Sequence, residues 1–215
     1  MVQRSEWDKS LYMASCYTNA PLNCLEALVL RRSVCSAPDW PCWHPVSALR
    51  PAMSAAWWQW VASTDSLTAR LVEAGGERSF RVRLLRQGVA LPQPHEAQAL
   101  GMAARRYAWQ REVALCVNET PWVVARSVAP LEALRGQRLE RLGERSLGSW
   151  LFRQPDLVRG PLYATRQVPE FSYPGDGVVT SQWGRRSVFQ HRGLSLLVQE
   201  YFLSTMADDL ALPSR

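Results

Sequence analysis

Four alternating runs occupy the middle and end of this chain, and they come in two pairs joined by very short connections. Residues 107 to 117 and 122 to 130 are separated by Asn118, Glu119, Thr120 and Pro121. A run ending near Gln190 is separated from one spanning 194 to 203 by His191, Arg192 and Gly193. Alternation of this kind marks a strand with two unlike faces, and connections this short permit only antiparallel hairpins. Ser79 to Leu91 alternates in the same way, Phe80, Val82 and Leu84 against Arg81 and Arg83. Helical segments are interspersed. Ser63, Thr64 and Asp65 mark the start of a helix with Leu67, Leu71 and Val72 on one side, and Gly75 and Gly76 end it. HEAQALGMAARR (95–106) is a polar, alanine-rich helical piece, and short helical stretches are expected at Gln137 to Leu142 and Ser146 to Phe152. A strand-like LYATRQV (162–168) and a loop containing Tyr173, Pro174, Gly175, Asp176 and Gly177 precede the last hairpin. Successive hairpins with inserted helices predict an antiparallel sheet in an α+β domain.

With 215 residues, the chain holds one ordinary domain and a tail, or at most two small domains. Its 47% hydrophobic and 20% charged residues are those of a soluble globular protein, and no stretch approaches the roughly 18 to 20 apolar residues of a membrane span. The net charge of +6 comes from arginines scattered through every segment rather than gathered in a block. No nucleic-acid partner is therefore expected, since binders concentrate their charge. Four of the five cysteines (Cys16, Cys24, Cys35, Cys42) lie near the start without a CxxC pair, and Cys116 falls inside a strand pattern as a small buried residue. MVQRSEWDKSLYM has acids and no apolar core of a secretory signal, so a cytoplasmic location is expected.

Residues 1–56 form an N-terminal extension without helical or alternating period, as in SAPDWPCWHPVSALRP, followed by a patterned domain at 57–206 and a tail at 207–215. Met53 opens the patterned region directly, and one expectation is that translation begins there and the first 52 residues are not made.

Period-two bookkeeping isolates three charges. Arg111 is the only charge in the row Tyr107, Trp109, Val113, Leu115 and Val117. Arg126 shares its row with Trp122, Val124 and Val128, and Glu200 shares its row with Leu194, Leu196, Val198 and Phe202. An ionised group facing a core is costly unless it is paired, hydrogen-bonded or turned toward a ligand. Two arginines and a glutamate in apolar rows therefore point either to a structural ion pair or to a pocket for a small carboxylate, which a planar guanidinium grips with two parallel bonds.

Taken together, REVALCVNETPWVVARSVAP (111–130), RSLGSWLF (145–152), WGRRSVF (183–189) and GLSLLVQEYFL (193–203), with a weaker match in DSLTARL (65–71), resemble the chorismate pyruvate-lyase family. The likeness covers about the last three quarters of the chain. It implies a lyase that eliminates pyruvate from chorismate to give 4-hydroxybenzoate for ubiquinone synthesis, with a ligand enclosed beside an antiparallel sheet under flap segments and no cofactor or metal. By the same resemblance Arg111 holds the ring carboxylate, Glu200 meets the ring hydroxyl, and the flaps contribute main-chain groups at Leu147 and Leu67. Strand parity, not the resemblance, adds Arg126 as a receptor for the enolpyruvyl carboxylate. Ala125 stands where the family pattern has glycine, and Leu67 where it has methionine; the added methyl group of Ala125 is expected to alter product release rather than chemistry.

Other residues invite plainer readings. His44, His95 and His191 are too dispersed for a metal or a nucleophile–base pair, and His191 is expected to be solvated in its turn. Ser146 near Gly148 lacks the GxSxG of a nucleophile elbow. Arg185 and Arg186 are expected to support the sheet, and Trp183 to pack in the core or under a flap. A monomer is expected. The rival reading is a non-catalytic effector-binding module of related architecture, which would need a DNA-binding head that residues 1–56 do not suggest; a nucleic-acid binder would instead show a steep salt dependence.

Overall fold

The computed structural model describes residues 42–134, 139–171 and 181–213, all within one unit spanning residues 37–215. Its strands are β1 (His44–Pro45), β2 (Phe80–Ala90), β3 (Ala108–Val117), β4 (Thr120–Pro130), β5 (Val158–Arg159), β6 (Tyr163–Thr165), β7 (Ser181–His191) and β8 (Leu194–Leu203). They form one sheet in the order β1-β6-β7-β8-β4-β3-β2, with β5 on the side of β7, and every pairing is antiparallel. The helices are α1 (Ala55–Val61), α2 (Leu67–Gly75), α3 (Pro94–Ala99), α4 (Leu147–Leu151) and α5 (Ser204–Asp209). The α+β architecture expected from the hairpins is the one found.

Both hairpins are tighter than the sequence suggested. Asn118 and Glu119 alone turn β3 into β4, with φ of 44° and 66°, and Arg192 and Gly193 turn β7 into β8, with φ of 45° and 82°. Two consecutive residues of positive φ give the turn whose twist matches the strands it joins. His191 is thus the last residue of β7 rather than part of the turn, and it is buried rather than solvated. The pairing of β3 with β4 slips at one point, from Leu115 opposite Val123 to Cys116 opposite Pro121, so Trp122 bulges out of register.

One face of the sheet carries two apolar clusters. In the first, Trp57, Trp60, Leu67 and Leu71 of α1 and α2 pack on Val82, Val113, Leu115, Val123, Trp183 and Phe202. In the second, Leu139, Leu142, Leu147 and Leu151 pack on Trp109, Ala129, Phe189 and Leu196. Cys116 lies on the opposite face, fully buried beside Val124 and Tyr201. There α3 covers Ala108, Val128 and Leu197.

Structure begins earlier than residue 57 and continues past 206. β1 pairs with β6, residues Val46–Ala52 form a 3-10 helix, and Val46 and Leu49 pack against the first cluster. Toward the other end, Trp57 Nε1 donates to the Pro213 carbonyl at 2.6 Å and Trp122 Nε1 to Asp209 at 2.7 Å. Short polar or proline-rich segments of this kind carry no period, which is why they escape a search for repeats. Within the expected helix at 137–142, Leu139–Arg141 form a 3-10 turn, and residues 137–138 and the loop at 173–177 lie outside the described residues.

Candidate active site

A cavity opens where the two apolar clusters meet. Val82, Val113, Leu115 and Ala125 wall it from one side, Leu147, Leu151 and Phe189 from the other. Its floor is two neighbouring rows of the sheet. One row runs Val113, Ala125, Glu200, Arg185 across β3, β4, β8 and β7; the next runs Arg111, Ser127, Val198, Ser187. Arg111 and Glu200 therefore project from the same face, two strands and two residues apart. Strand spacing and rise put their Cα atoms roughly 12 Å from each other.

The roof is made by two helix starts with the same local chemistry. Ser66 caps α2 by accepting from the Ala69 amide, and Ser146 caps α4 by accepting from the Ser149 amide. The next residues, Leu67 and Leu147, are buried and line the cavity. Thr68 Oγ1 and Ser146 Oγ share a hydrogen bond of 2.7 Å, which ties the two starts together. The cavity beneath measures about 50 Å³. A benzene-sized guest occupies a cavity of roughly 150 Å³, so the cavity as it stands is smaller than a ring.

Arg111 is 1% exposed. Its Nη2 donates to the carbonyls of Gly143 and Arg145, both at 2.9 Å, and so anchors the segment leading into α4, while its Nε is buried without a partner. Among the described residues no carboxylate pairs with it. Burial alone pulls its pKa down to about 10, which leaves it cationic at neutral pH. A buried cation satisfied only by neutral carbonyls is a standing cost of several kcal/mol that an anionic guest would offset.

At the other end Glu200 Oε2 accepts from Arg185 Nε at 2.6 Å. Arg185, expected only to support the sheet, lines the cavity and also donates Nη1 to the carbonyls of Trp60 and Ser63 at 2.8 and 2.9 Å. A cation at the C-terminal carbonyls of α1 is favourably placed. Arg159, which no sequence pattern singled out, lines the cavity as well; it sits on the two-residue strand β5, too short to show alternation. Among the described residues three arginines (111, 159, 185) and two acids (Asp65, Glu200) thus line the cavity, an excess of one positive charge suited to an anion.

Arg126 is elsewhere. It projects from the opposite face, where Nη1 donates to Glu112 at 2.6 Å, Nε pairs with Glu96 at 2.8 Å, and Nη2 donates to Gln110 at 3.1 Å. Gln199 closes the cluster by donating to Glu96 at 2.6 Å. The expected role of Arg126 as a substrate receptor is corrected by this geometry: register pairs Arg126 with Glu112 and gives the cavity face of β4 to Ala125 and Ser127. Arg186 also lies away from the cavity, its guanidinium over the Trp43 and Tyr163 rings. Trp183 is fully buried in the first apolar cluster.

Among the described residues no group of three His, Cys, Asp or Glu side chains is placed to hold a metal ion, and no helix is long and apolar enough to cross a membrane. The family model for chorismate lyase matches residues 37–209. The chain belongs to the chorismate lyase family. A probable chorismate pyruvate-lyase of Chromohalobacter salexigens is 56% identical over 182 residues, 83% of this chain and 97% of that protein. One from Pseudomonas putida is 40% identical over 166 residues, 76% of this chain and 89% of the relative. Among solved structures, the effector domain of PhnF from Mycobacterium smegmatis aligns with a TM-score of 0.48 at 14% identity, over 66% of this chain and 91% of that one. The chorismate lyase family match begins well before residue 57, in keeping with the strand and 3-10 helix at residues 44–52.

Proposed function

We propose that this protein is a chorismate lyase that converts chorismate to 4-hydroxybenzoate and pyruvate in the cytoplasm, at the step that commits the ring to ubiquinone synthesis. The observation that carries the proposal is a buried arginine, Arg111, that has no acid partner among the described residues and faces the same small cavity as Glu200 in a member of this family.

Much of the driving force lies in the substrate. The C3–O bond of chorismate breaks with its electron pair leaving on the enolpyruvyl oxygen, the hydrogen on C4 departs as a proton, and the ring becomes aromatic. The enolpyruvate takes up a proton to become pyruvate, so atoms and charge balance without a redox partner or a metal. What remains for the protein is to hold one conformer, exclude water and stabilise moving charge. Arg111 grips the ring carboxylate with the guanidinium edge that no acid occupies. Glu200, kept in place by Arg185, accepts a hydrogen bond from the 4-hydroxyl at the far end of the ring. The first-turn backbone at Leu67 and Leu147 completes the enclosure, its amides being among those a helix leaves unpaired.

Purified protein mixed with chorismate and followed by ultraviolet absorbance, with products separated by chromatography, tests the proposal. Formation of 4-hydroxybenzoate and pyruvate in equal amounts is the expected result. Tight binding of either compound with no turnover would favour the effector-binding module instead.

A further inference from the structure

Chorismate carries a second carboxylate, on the enolpyruvyl group, and the residue that parity suggested for it is engaged on the wrong face of the sheet. We propose that Arg159 forms a second carboxylate subsite, specific for the enolpyruvyl end of the substrate, at the seam between the main cavity and an adjoining one; this rests on the reading of the main cavity as the chorismate site.

The adjoining cavity measures about 400 Å³ and is lined by Thr64, Phe152, Gln154, Leu157, Arg159, Gly160, Leu162 and Phe189. Phe152, Arg159 and Phe189 line both cavities, so these three side chains form the partition. Among the described residues Arg159 is the one charged residue lining the second cavity. Phe152, Leu157, Leu162 and Phe189 make much of its wall apolar, with Thr64 and Gln154 as neutral polar groups, and apolar surroundings strengthen the electrostatic attraction that guanidinium exerts.

The three cavity-lining arginines are not equivalent. Arg111 is fixed by the flap carbonyls at the ring-carboxylate end. Arg185 is consumed by Glu200 and by two backbone carbonyls. Arg159 donates Nε to Ser187 Oγ at 3.0 Å and Nη1 to the Ser63 carbonyl at a longer 3.4 Å, both neutral acceptors, and is in no ion pair with a carboxylate among the described residues. Two of five N–H donors are thereby used. Its plane lies over the Phe189 ring, 5.2 Å from the centroid, which holds the guanidinium against the partition. Burial first, and then the neighbouring Arg185, lower its pKa, against the opposing pull of the Glu200 and Asp65 carboxylates.

The position fits the substrate's shape. With the ring carboxylate on Arg111 and the 4-hydroxyl toward Glu200, the enolpyruvyl ether on the carbon next to the hydroxyl leaves the ring close to the Glu200 end, where Arg159 and the second cavity are. Arg159 then has two tasks, to orient the carboxylate of the leaving group and to receive that group as the C3–O bond breaks.

The test separates substrate from product, because 4-hydroxybenzoate lacks the second carboxylate. Arg159→Met keeps the aliphatic stem and removes the charge; Arg159→Lys keeps the charge without the fork. Both are compared with the unaltered protein for kcat/KM on chorismate and for the Kd of 4-hydroxybenzoate, with thermal melting alongside. A fall of about 10- to 100-fold in kcat/KM for Arg159→Met, partial recovery in Arg159→Lys, and a product Kd within about twofold of the unaltered protein are expected. Unchanged kcat/KM, or an equal loss of substrate turnover and product affinity, would overturn the subsite. Should Arg159→Met fail to fold, Arg159→Lys decides alone: turnover equal to the unaltered protein's counts against the subsite, and a fall with intact product affinity supports it. If the unaltered protein does not turn over chorismate, the reading of the main cavity fails before the subsite is reached.

Discussion

Arg126 and Glu112 stand directly opposite each other on β4 and β3, 2.6 Å apart, on the side of the sheet turned away from the cavity. With Glu96 also within 2.8 Å, one guanidinium serves two buried carboxylates. Removing it leaves both acids without their cation, although Gln199 still donates to Glu96. Arg126→Met is expected to lower stability by about 3–5 kcal/mol, read as a shift in the urea midpoint, while the protein that remains folded still binds 4-hydroxybenzoate. Normal stability with selective loss of binding would return Arg126 to the substrate site.

At Arg111 the opposite pattern is expected. Its charge has no acid partner among the described residues, so Arg111→Met relieves a buried cation while it releases the carbonyls of Gly143 and Arg145. The stability change is therefore small, and affinity for benzoate or 4-hydroxybenzoate falls by about 2–3 kcal/mol, the scale of a charge-assisted bond. Either ligand should also raise the melting temperature of the unaltered protein, and not of the variant. Calorimetric titration and thermal melts check both; equal binding by the two proteins would remove Arg111 from the site.

Arg111 and Arg126 mark the limit of what could be read from the chain. Alternation within a strand tells which residues share a face, and it correctly grouped Arg111 with Val113 and Leu115, and Glu200 with Val198 and Phe202. It says nothing about the phase of one strand against the next. The two-residue Asn118–Glu119 turn taken alone would set Arg111 opposite Arg126; the bulge at Trp122 shifts the register by one residue, pairs Arg111 with Ser127 and so sends Arg126 to the other side. Trp122, whose bulky apolar side chain made the Arg126 row look like core, is the bulged residue and packs with the cluster on the cavity face. Leu67 and Leu147 came from the family resemblance, and their shared serine caps give the physical reason that both helix starts sit at the roof. Arg159 leaves no trace because a two-residue strand has no period, and the alternation of β7 does not distinguish a cavity-lining Arg185 from one that only supports the sheet.

Glu200 is coupled to Arg185, which is 2% exposed. Glu200→Gln keeps the shape and one acceptor but leaves that arginine without its anion. A loss of about 1–3 kcal/mol in stability is expected, together with a fall in kcat of at least about 100-fold if the carboxylate handles the proton released from the ring. Steady-state kinetics on folded protein separate the two effects. Unaltered kcat would reduce Glu200 to a structural partner of Arg185.

Ala125 lies between Val113 and Glu200 on the cavity floor and is buried. Its methyl group occupies space against which the ring of a bound product would settle. Ala125→Gly is expected to cost about 0.5–1 kcal/mol in stability, from the added backbone freedom of glycine in a strand, and to tighten 4-hydroxybenzoate binding several-fold, seen as a lower inhibition constant. The first turnover, measured in a single-turnover experiment, is expected to keep its rate. A slower first turnover with unchanged inhibition would show that the methyl group acts on the chemistry.

The start of the folded region can be tested by length. Trp43 meets the Tyr201 ring edge-on at 5.9 Å between centroids and lies under the Arg186 guanidinium; His44 pairs with Ala164, and the Val46 amide donates to the Leu162 carbonyl at 3.0 Å. A chain beginning at Met53 lacks all of these, whereas one beginning with a methionine placed before Cys42 keeps them. The shorter chain is expected to be less stable by on the order of 2–4 kcal/mol, from the lost tryptophan contacts and strand pairing. It retains every residue that lines the main cavity, so its folded fraction should still turn over chorismate. Urea denaturation of the two chains side by side gives the answer, and coincident curves would mean that β1 and the 3-10 helix add nothing to the domain.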